Sequence, residues 1–454
     1  MKLATLTTVA LGLVLGGPDA ARAEDAAPDA TPGATLFDHP DAAWWLSGQV
    51  NVVGQAQPGF HSPYAGDNSF RSDDHAAVSV VSTVFAGYEL TSTTAIVVAG
   101  ESAGGGGLSN ALGIAGFTNL DVVRNPTLGA TPYLARAFID QIIPLSSDDA
   151  RHDRDALHIL RKLPARRIEL RAGKLSTVDV FDVNSVGSDS HLQFLNWAVD
   201  NDAAYDYAAD TRGYTLGATI EYADPTWAVR YGALLMPKVA NGIDYDYDIA
   251  NARGENLELE YHGDLGGRPG VVRLLGFGNH AKMGNYAEAN AAALVGEIDV
   301  PDITATRLAG RTKYGAGLNA ERELTDELRA FARLGWSDGA NESFAYTEVD
   351  NTVALGGDLR GAPWGRAADK LGLAVVTDGL SADHRRYLAL GGKGFLLGDG
   401  ALSYGRETIA EAYYTARLYR GVFVSADAQL IVNPGYNTAR GPVSVGSLRA
   451  HVEL

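Results

Sequence analysis

The sequence predicts an all-β protein, a transmembrane antiparallel β-barrel. The first observation is the final stretch, residues 448–454, which is apolar at every even position and charged or ionisable at every odd one. The second is an export leader at the start of the chain, and the third is a series of long alternating runs after residue 200. In a barrel, the apolar side of each strand faces lipid and the polar side faces a water-filled lumen.

Residues 1–23 have the three parts of a cleavable signal peptide. These are a positive charge at Lys2, an apolar run from Leu3 to Leu15 and the small-x-small site Ala21-Arg22-Ala23. The apolar run is shorter than the ~20 residues that a membrane-spanning helix needs. We therefore expect export and a mature chain that starts near Glu24.

Beyond the leader, we expect a flexible N-terminal lead at residues 24–43 and one barrel domain at residues 44–454. The chain of 454 residues exceeds the roughly 250–300 residues that one solid core usually supports, yet no internal linker divides it. A barrel escapes this limit because its interior is solvent. The absence of cysteine excludes disulfide bonds as a source of stability.

The charge and motif content excludes several classes of function. The chain has 37 basic and 55 acidic residues, a formal net charge of −18, so nucleic acid is not an expected partner. Neither a His-Glu-x-x-His metal motif nor a Gly-x-Ser-x-Gly nucleophile motif occurs. We expect no enzyme activity, no cofactor and no metal.

Alternating runs of about 10 residues, the length of a tilted membrane-spanning strand, predict the individual strands. Residues 213–222 place Tyr214, Leu216 and Tyr222 on one side and form a hairpin with residues 226–236. Further runs lie at residues 257–262, 328–336, 410–419 and 422–430. In the last three of these runs and in residues 448–454, the positions opposite the apolar side carry charged residues. We expect these charges to face the lumen: Arg329, Arg333, Glu411, Arg417, Asp427, Arg449 and Glu453.

The first half of the chain shows less regular alternation. Residues 103–119 contain four consecutive glycines and few charges, which indicates a flexible or closely packed loop. Residues 191–210 combine aromatic rings, amides and acids over a length unusual for a turn. In a barrel, such a segment lies either outside or folded into the pore.

Seven stretches resemble the carbohydrate-selective porins, the OprB-like porins of Gram-negative outer membranes. They occur in order along the chain from about residue 44 to the C-terminus. They read QPGFHSPY (57–64), GLSNALGIAGF (107–117), FDVN (181–184), QFLNWA (193–198), ADTRGY (209–214), VNPGYN (432–437) and RGPV (440–443).

The resemblance implies a 16-stranded barrel in the outer membrane and passive diffusion of glucose-like mono- or small oligosaccharides. It also implies contact with outer-membrane lipid and lipopolysaccharide, and recognition of the last strand by the barrel-assembly machinery. By the same analogy we expect a monomer. The chain ends in Leu454 rather than the common Phe.

A sugar channel needs flat rings for the C–H face of a sugar and polar groups for its hydroxyls. The segment from Gln193 to Asp210, followed by Arg212, supplies both, so we expect it to form the constriction. An open alternative is that its rings only anchor the loop to the wall. The candidate residues are Gln193, Phe194, Asn196, Trp197, Tyr205, Asp206, Asp210 and Arg212.

Other functions stay open at this point. The acidic balance suits a general or cation-preferring porin, and each alternating run alone would fit a secreted soluble β protein. Asp179, Asp182 and Asn184 offer oxygen ligands at close spacing for Ca²⁺, but the EF-hand pattern is absent. Acids of an ordinary loop are the simpler interpretation.

Overall fold

A closed barrel of sixteen antiparallel strands forms the molecule, as predicted. The computed structural model describes residues 35–122, 128–150 and 154–454. The predicted leader and the start of the predicted lead lie outside these residues. The first strand, β1 (Trp44–Gln57), pairs with β2 (His75–Thr91) on one side and with the last strand, β18 (Val443–Glu453), on the other. This last pairing closes the barrel.

The barrel contains every strand except β5 and β6, which pair as a separate two-stranded sheet. Between β2 and β18 the strands are β3 (Thr94–Gly105), β4 (Tyr133–Pro144), β5 (Asp149–Ala150), β6 (Leu163–Pro164), β7 (Arg167–Leu175), β8 (Thr215–Asp224), β9 (Trp227–Leu234), β10 (Arg253–Asp264), β11 (Pro269–Met283), β12 (Leu308–Glu323), β13 (Leu328–Ser337), β14 (Asn351–Gly361), β15 (Arg366–Gly379), β16 (Glu407–Tyr419) and β17 (Val422–Val432).

The two ends of the barrel differ in their connections. At one end, here called the turn end, β1 begins, β18 finishes and most connections are two or four residues long. The exception is the connection between β4 and β7, residues 145–166. At the opposite end, the loop end, every connection is longer, and several of them contribute residues to the buried interior. We call residues 106–122 the first inner loop and residues 176–214 the second inner loop.

Side-chain directions follow the predicted alternation in the second half of the chain. In β18, Leu448 is 68% exposed on the outer face, whereas Arg449 is 1% exposed inside. Exposed aromatic residues lie near both ends of the outer face. Tyr231, Tyr314 and Trp336 are near the loop end, and Trp44, Tyr88, Trp227 and Tyr261 are near the turn end.

One residue departs from this pattern. The alternation placed Tyr214 on the same side as Leu216 and Tyr222, but this placement is wrong, because Tyr214 precedes β8 and is buried inside the barrel. Its hydroxyl donates to both carboxylate oxygens of Glu101 at 3.0 Å. Gly213 has a φ of 88° and turns the chain just before the strand. The alternation of inward and outward side chains along β8 therefore does not extend to Tyr214.

The interior is not simply solvent, contrary to the expectation for a hollow barrel. The inner loops bring Phe117, Phe194, Trp197 and Tyr205 into one buried cluster with inward-facing wall residues such as Phe331. Polar anchors fix the loops to the wall. Glu407, for example, accepts hydrogen bonds from the backbone N–H groups of Ala115 and Gly116. Part of the barrel therefore has a packed core.

The α-helices of the described residues lie in the loop-end connections. They are α1 (Trp197–Asp200), α2 (Tyr286–Leu294) and α3 (Ala382–Ala389), and α2 contacts α3. Asn285 caps α2 by accepting from the backbone N–H of Glu288 at 3.1 Å, and Ser381 caps α3 in the same way. None of the described helices has the length and apolar character required to cross a membrane.

Candidate functional site

A cavity of about 1620 Å³ occupies the part of the barrel that the inner loops leave free. At the turn end it is lined by residues such as Glu323, Asp326 and Glu453. Towards the loop end it reaches Asn241, Tyr346 and Phe395, which belong to loop-end connections. The cavity is therefore the candidate path through the barrel.

A continuous series of ion pairs, here called the charge ladder, covers one wall of this cavity. It crosses the seven neighbouring strands β4 and β7–β12 through Asp140, Arg171, Glu169, Arg167, Glu221, Arg230, Glu260, Arg273 and Glu321. Consecutive members alternate in sign, with N–O distances such as 2.7 Å for Arg171–Glu169 and 3.0 Å for Arg273–Glu321. All members except Asp140 line the cavity.

Sequence reasoning missed this ladder, although a signal was present. Residues 167–171 read Arg-Ile-Glu-Leu-Arg, an alternation with a charge at every inward position of β7. The run is short and stands alone in the less regular first half of the chain. The partner charges come from six other strands. They become neighbours only in the folded barrel, so the sequence alone does not show the ladder.

The seven predicted lumen charges all lie on the inner side of their strands. Arg329, Arg417 and Glu453 line the cavity. The other four, Arg333, Glu411, Asp427 and Arg449, are almost fully buried. Arg333 donates to the backbone carbonyl of Val199, and Arg449 to that of Ser190, both at 2.6 Å. Charges of this second group therefore hold the second inner loop against the wall.

The structure divides the eight predicted constriction residues into two sets of four. Gln193, Trp197, Asp210 and Arg212 line the cavity. Phe194, Asn196, Tyr205 and Asp206 are packed between the second inner loop and its surroundings and are at most 2% exposed. Their contacts include Tyr413 for the Phe194 ring, Gln429 for Asn196, Asn256 for the Tyr205 hydroxyl and the backbone N–H of Phe344 for Asp206.

Trp197 combines cavity lining with packing. Its ring stacks on Tyr346 with centroids 5.6 Å apart and meets Phe117 edge-on at 5.7 Å. The indole N–H donates to the backbone carbonyl of Asn119 at 2.8 Å, which joins the two inner loops. The residue is 6% exposed, so only the rim of the ring reaches the cavity.

Arg212 is the one of the eight predicted constriction residues that is not buried. Its guanidinium lies 3.9 Å from the centroid of the Tyr133 ring. Tyr133 and Tyr214 both donate to the Glu101 carboxylate, and Tyr133, Tyr214 and Glu101 line the cavity as well. This cluster presents a flat cation, two phenols and a carboxylate, which are groups that exchange hydrogen bonds with a polyhydroxyl solute.

Asp179, Asp182 and Asn184, left open as cation ligands, are engaged with the protein. Asp179 forms a two-point pair with Arg136 at 2.6 and 2.7 Å. The Asp182 carboxylate accepts a hydrogen bond from the Asn319 carboxamide at 2.7 Å, and the Asn184 carboxamide donates a hydrogen bond to the side-chain oxygen of Asn319. Among the described residues, no group of three or more His, Asp or Glu side chains is arranged to hold a metal ion.

Comparison with known proteins gives a family and a fold. The family model described as "Carbohydrate-selective porin, OprB family" matches residues 90–454. The high-pH structure of Pseudomonas putida OprB is similar with a TM-score of 0.70 at 17% identity, over 91% of this chain and 94% of that one. The outer-membrane channel DcaP of Acinetobacter baumannii matches with a TM-score of 0.49 at 10% identity, over 90% of this chain and 97% of that one. No curated protein sequence matches the chain.

Proposed function

The chain belongs to the OprB family of carbohydrate-selective porins, and from this membership we propose that its barrel is a passive channel for small carbohydrates across the outer membrane. Members of this family are channels, so the chain is a channel protein and not an enzyme. The proposed solutes are glucose-like monosaccharides and small oligosaccharides that diffuse into the periplasm of a Gram-negative bacterium.

The cavity lining carries this proposal. Arginine and carboxylate groups alternate along the charge ladder, so both signs face the solute at close spacing. A sugar hydroxyl both donates and accepts hydrogen bonds and therefore finds a partner at either group. An ion of either sign meets repulsion as well as attraction on the same wall. The lining thus favours neutral polyhydroxyl solutes over salts.

Four residues of the second inner loop are proposed to contact the sugar. Gln193, Asp210 and Arg212 supply hydrogen-bonding groups, and the rim of Trp197 supplies an apolar edge. Phe194, Asn196, Tyr205 and Asp206 are proposed to act indirectly, by keeping the loop in place. Both sets are needed for a constriction of fixed width.

The orientation and the partners follow from barrel architecture. Bacterial outer-membrane barrels have short turns on the periplasmic side, so the turn end is proposed to face the periplasm. The outer face would contact lipid and lipopolysaccharide, and β18 would be the strand that the barrel-assembly machinery reads. By analogy with other members of the family we propose a monomer, and the mass of the protein–detergent particle tests this.

Conductance of the refolded protein in a planar bilayer, titrated with glucose, tests the function. We expect concentration-dependent block of the single-channel current because bound sugar displaces ions from the constriction. Reversal potentials in a salt gradient separate this channel from a cation-preferring porin, since the paired lining predicts weak ion selectivity. Conductance that glucose never blocks would leave a general pore and remove the sugar proposal.

The variant Trp197→Ala tests the site. We expect weaker block by glucose, because the change removes the ring rim from the cavity and the stacking contact with Tyr346. The matched control is Trp227→Ala, which removes an exposed tryptophan from the outer face. Equal block in both variants would show that Trp197 has no part in sugar binding.

A further inference from the structure

The connection between β4 and β7, residues 145–166, differs from every other connection at the turn end. The others have two or four residues. Within this connection, residues 154–165, here called the strap, turn into the mouth of the barrel. Arg154, Asp155, His158 and Leu163 line the same cavity as the charge ladder. A short turn would leave this mouth wider.

Two arginines tie the strap to the wall and to the chain before β1. Arg161 forms a two-point pair with the Glu89 carboxylate of β2, with N–O distances of 3.0 and 3.1 Å. Arg154 donates to the backbone carbonyl of Ala42 at 3.0 Å and lies 5.3 Å from the centroid of the Trp45 ring. These contacts fix both halves of the strap at the rim of the barrel.

An apolar contact holds the middle of the strap. Ile159 is 1% exposed and belongs to a buried cluster with Trp45, Ala95 and Val97 of the inner wall. Gly87 of β2 makes room for it, because a Cβ atom at this position would lie 2.5 Å from the Ile159 Cδ1 atom. The wall is therefore shaped to receive the strap.

The free side of the strap carries polar groups into the cavity. The His158 Nδ1 atom lies 3.0 Å from the Asp155 carboxylate, and both residues line the cavity beside Glu169 and Arg171 of the charge ladder. A solute that leaves the channel on this side must pass between the strap and the opposite rim, where Glu327, Arg360 and Arg417 lie.

We propose that the strap is a second filter of the channel, which limits the size of the sugars that leave at the periplasmic mouth. The inference rests on the proposed function, because it assigns this selectivity to the same sugar path. The second inner loop then binds the sugar, and the strap sets the largest molecule that can exit. Pore width and lining together determine what a channel passes.

Replacing residues 145–166 with an Asn-Gly turn tests the proposal directly. Pro144 and Arg167 are partners in the β4–β7 ladder, so a two-residue turn can join the strands. We expect a conductance increase of roughly twofold or more, since the narrow exit is widened. In liposome-swelling assays, oligosaccharides too large for the original channel should now enter. The glucose concentration for half-maximal block should stay the same.

A point variant tests the same proposal while the strap is still present. Gly87→Leu fills the space of Ile159 and should displace the strap, with a smaller increase in conductance. Its matched control is Gly100→Leu on β3, where nothing lies within 4 Å of the added Cβ atom. The chain has no cysteine, so the labelling rate of Ala156→Cys in both backgrounds reports whether the strap has moved.

The outcomes separate the two proposals. An unchanged conductance and an unchanged sugar size limit in the shortened variant would overturn the filter, whatever the behaviour of Gly87→Leu. If the original protein shows no glucose block and no sugar uptake, the proposed function fails instead. Glucose block with an altered size limit in the shortened variant supports both.

Discussion

Arg333 shows how single buried charges organise the pore. Its guanidinium is inaccessible to solvent and contacts the Asp182 carboxylate at 3.2 Å as well as the Ser188 hydroxyl at 2.6 Å. Both partners belong to the second inner loop. The residue lies on the predicted lumen face of β13, yet its partners identify it as a support of the loop and not as a charge that meets solute.

We expect Arg333→Met to destabilise the protein by about 3–5 kcal/mol, because it leaves the Asp182 carboxylate buried without its cation. Denaturant unfolding in detergent micelles measures the change. The matched control is Lys282→Met, which removes an exposed cation near the loop end of β11. A loss of stability no larger than that of the control would show that Arg333 does not anchor the loop.

The second prediction at the residue scale concerns the pKa of His158. Burial opposes its protonation, but the Asp155 carboxylate outweighs this effect and raises the pKa of His158 above its ordinary value. Burial likewise opposes ionisation of Asp155, yet the imidazolium and two backbone N–H groups lower the pKa of this carboxyl to about 2. Arg171 and Glu169 of β7 and Asp140 of β4 are the other charged groups that act on the pair.

The pair therefore stabilises the strap fully between the ordinary aspartate pKa of ~3.9 and the ordinary histidine pKa of ~6.5, and it loses this contribution as the pH rises through the raised pKa of His158. On the acidic side it is lost as the pH falls towards 2. A histidine-selective NMR titration should find His158 titrating above ~6.5, and Asp155→Asn should lower its pKa. The variant Asp148→Asn, at an exposed position of the same connection, should leave it unchanged.

At the scale of strands, a strand can be predicted from the sequence when its inner positions are polar and its outer positions are apolar. The hairpin of β8 and β9 was predicted from its alternation, and so were β10, β13 and β16–β18, whose inner positions are mostly charged or polar where the outer positions are apolar. The same rule misses β3, whose inward residues Ala95, Val97 and Ala99 are apolar. Ala95 and Val97 pack with the strap, so this part of the inner face does not contact water. Its residues are therefore apolar, and β3 shows no alternation of polar and apolar positions.

The site was predictable to a similar extent. The composition of residues 193–210 led to the prediction of a loop folded into the pore, with a position outside as the alternative, but it did not show which side chains reach the cavity. Trp197 is covered by Tyr346, a residue of another connection, and this contact exists only after the barrel brings the two loops together. The resemblance to the porin family supplied the strand number, which no alternating run contains.

The outer face of β10 offers a test of the membrane position. Leu259 is 47% exposed in the middle of the strand, so Leu259→Arg should destabilise the barrel in lipid vesicles by about 2–4 kcal/mol. Tyr261→Arg, nearer the turn end of the same strand, should have an effect of about 0–1 kcal/mol, because arginine there reaches the membrane surface. Denaturant unfolding in vesicles compares them, and equal losses would contradict a membrane-spanning β10.

At the scale of the whole molecule, the barrel acts as a frame for its own contents. The inner loops attach to the wall through backbone groups and buried charges, and the strap attaches at the opposite mouth. Under the two proposals above, irregular segments set the width of the sugar path at two places, while the strands keep these segments at fixed positions. Loop changes can alter selectivity without altering the strand order.

The pairing of β1 with β18 has a consequence for folding. Val53 is the partner of Arg449, so the first and last strands meet only when the complete chain is present. Contacts between residues far apart in sequence slow folding, because a large loss of chain entropy precedes them. Closure of the barrel must therefore wait until the last strand is present, and a protein truncated before β18 cannot close the barrel through this pairing.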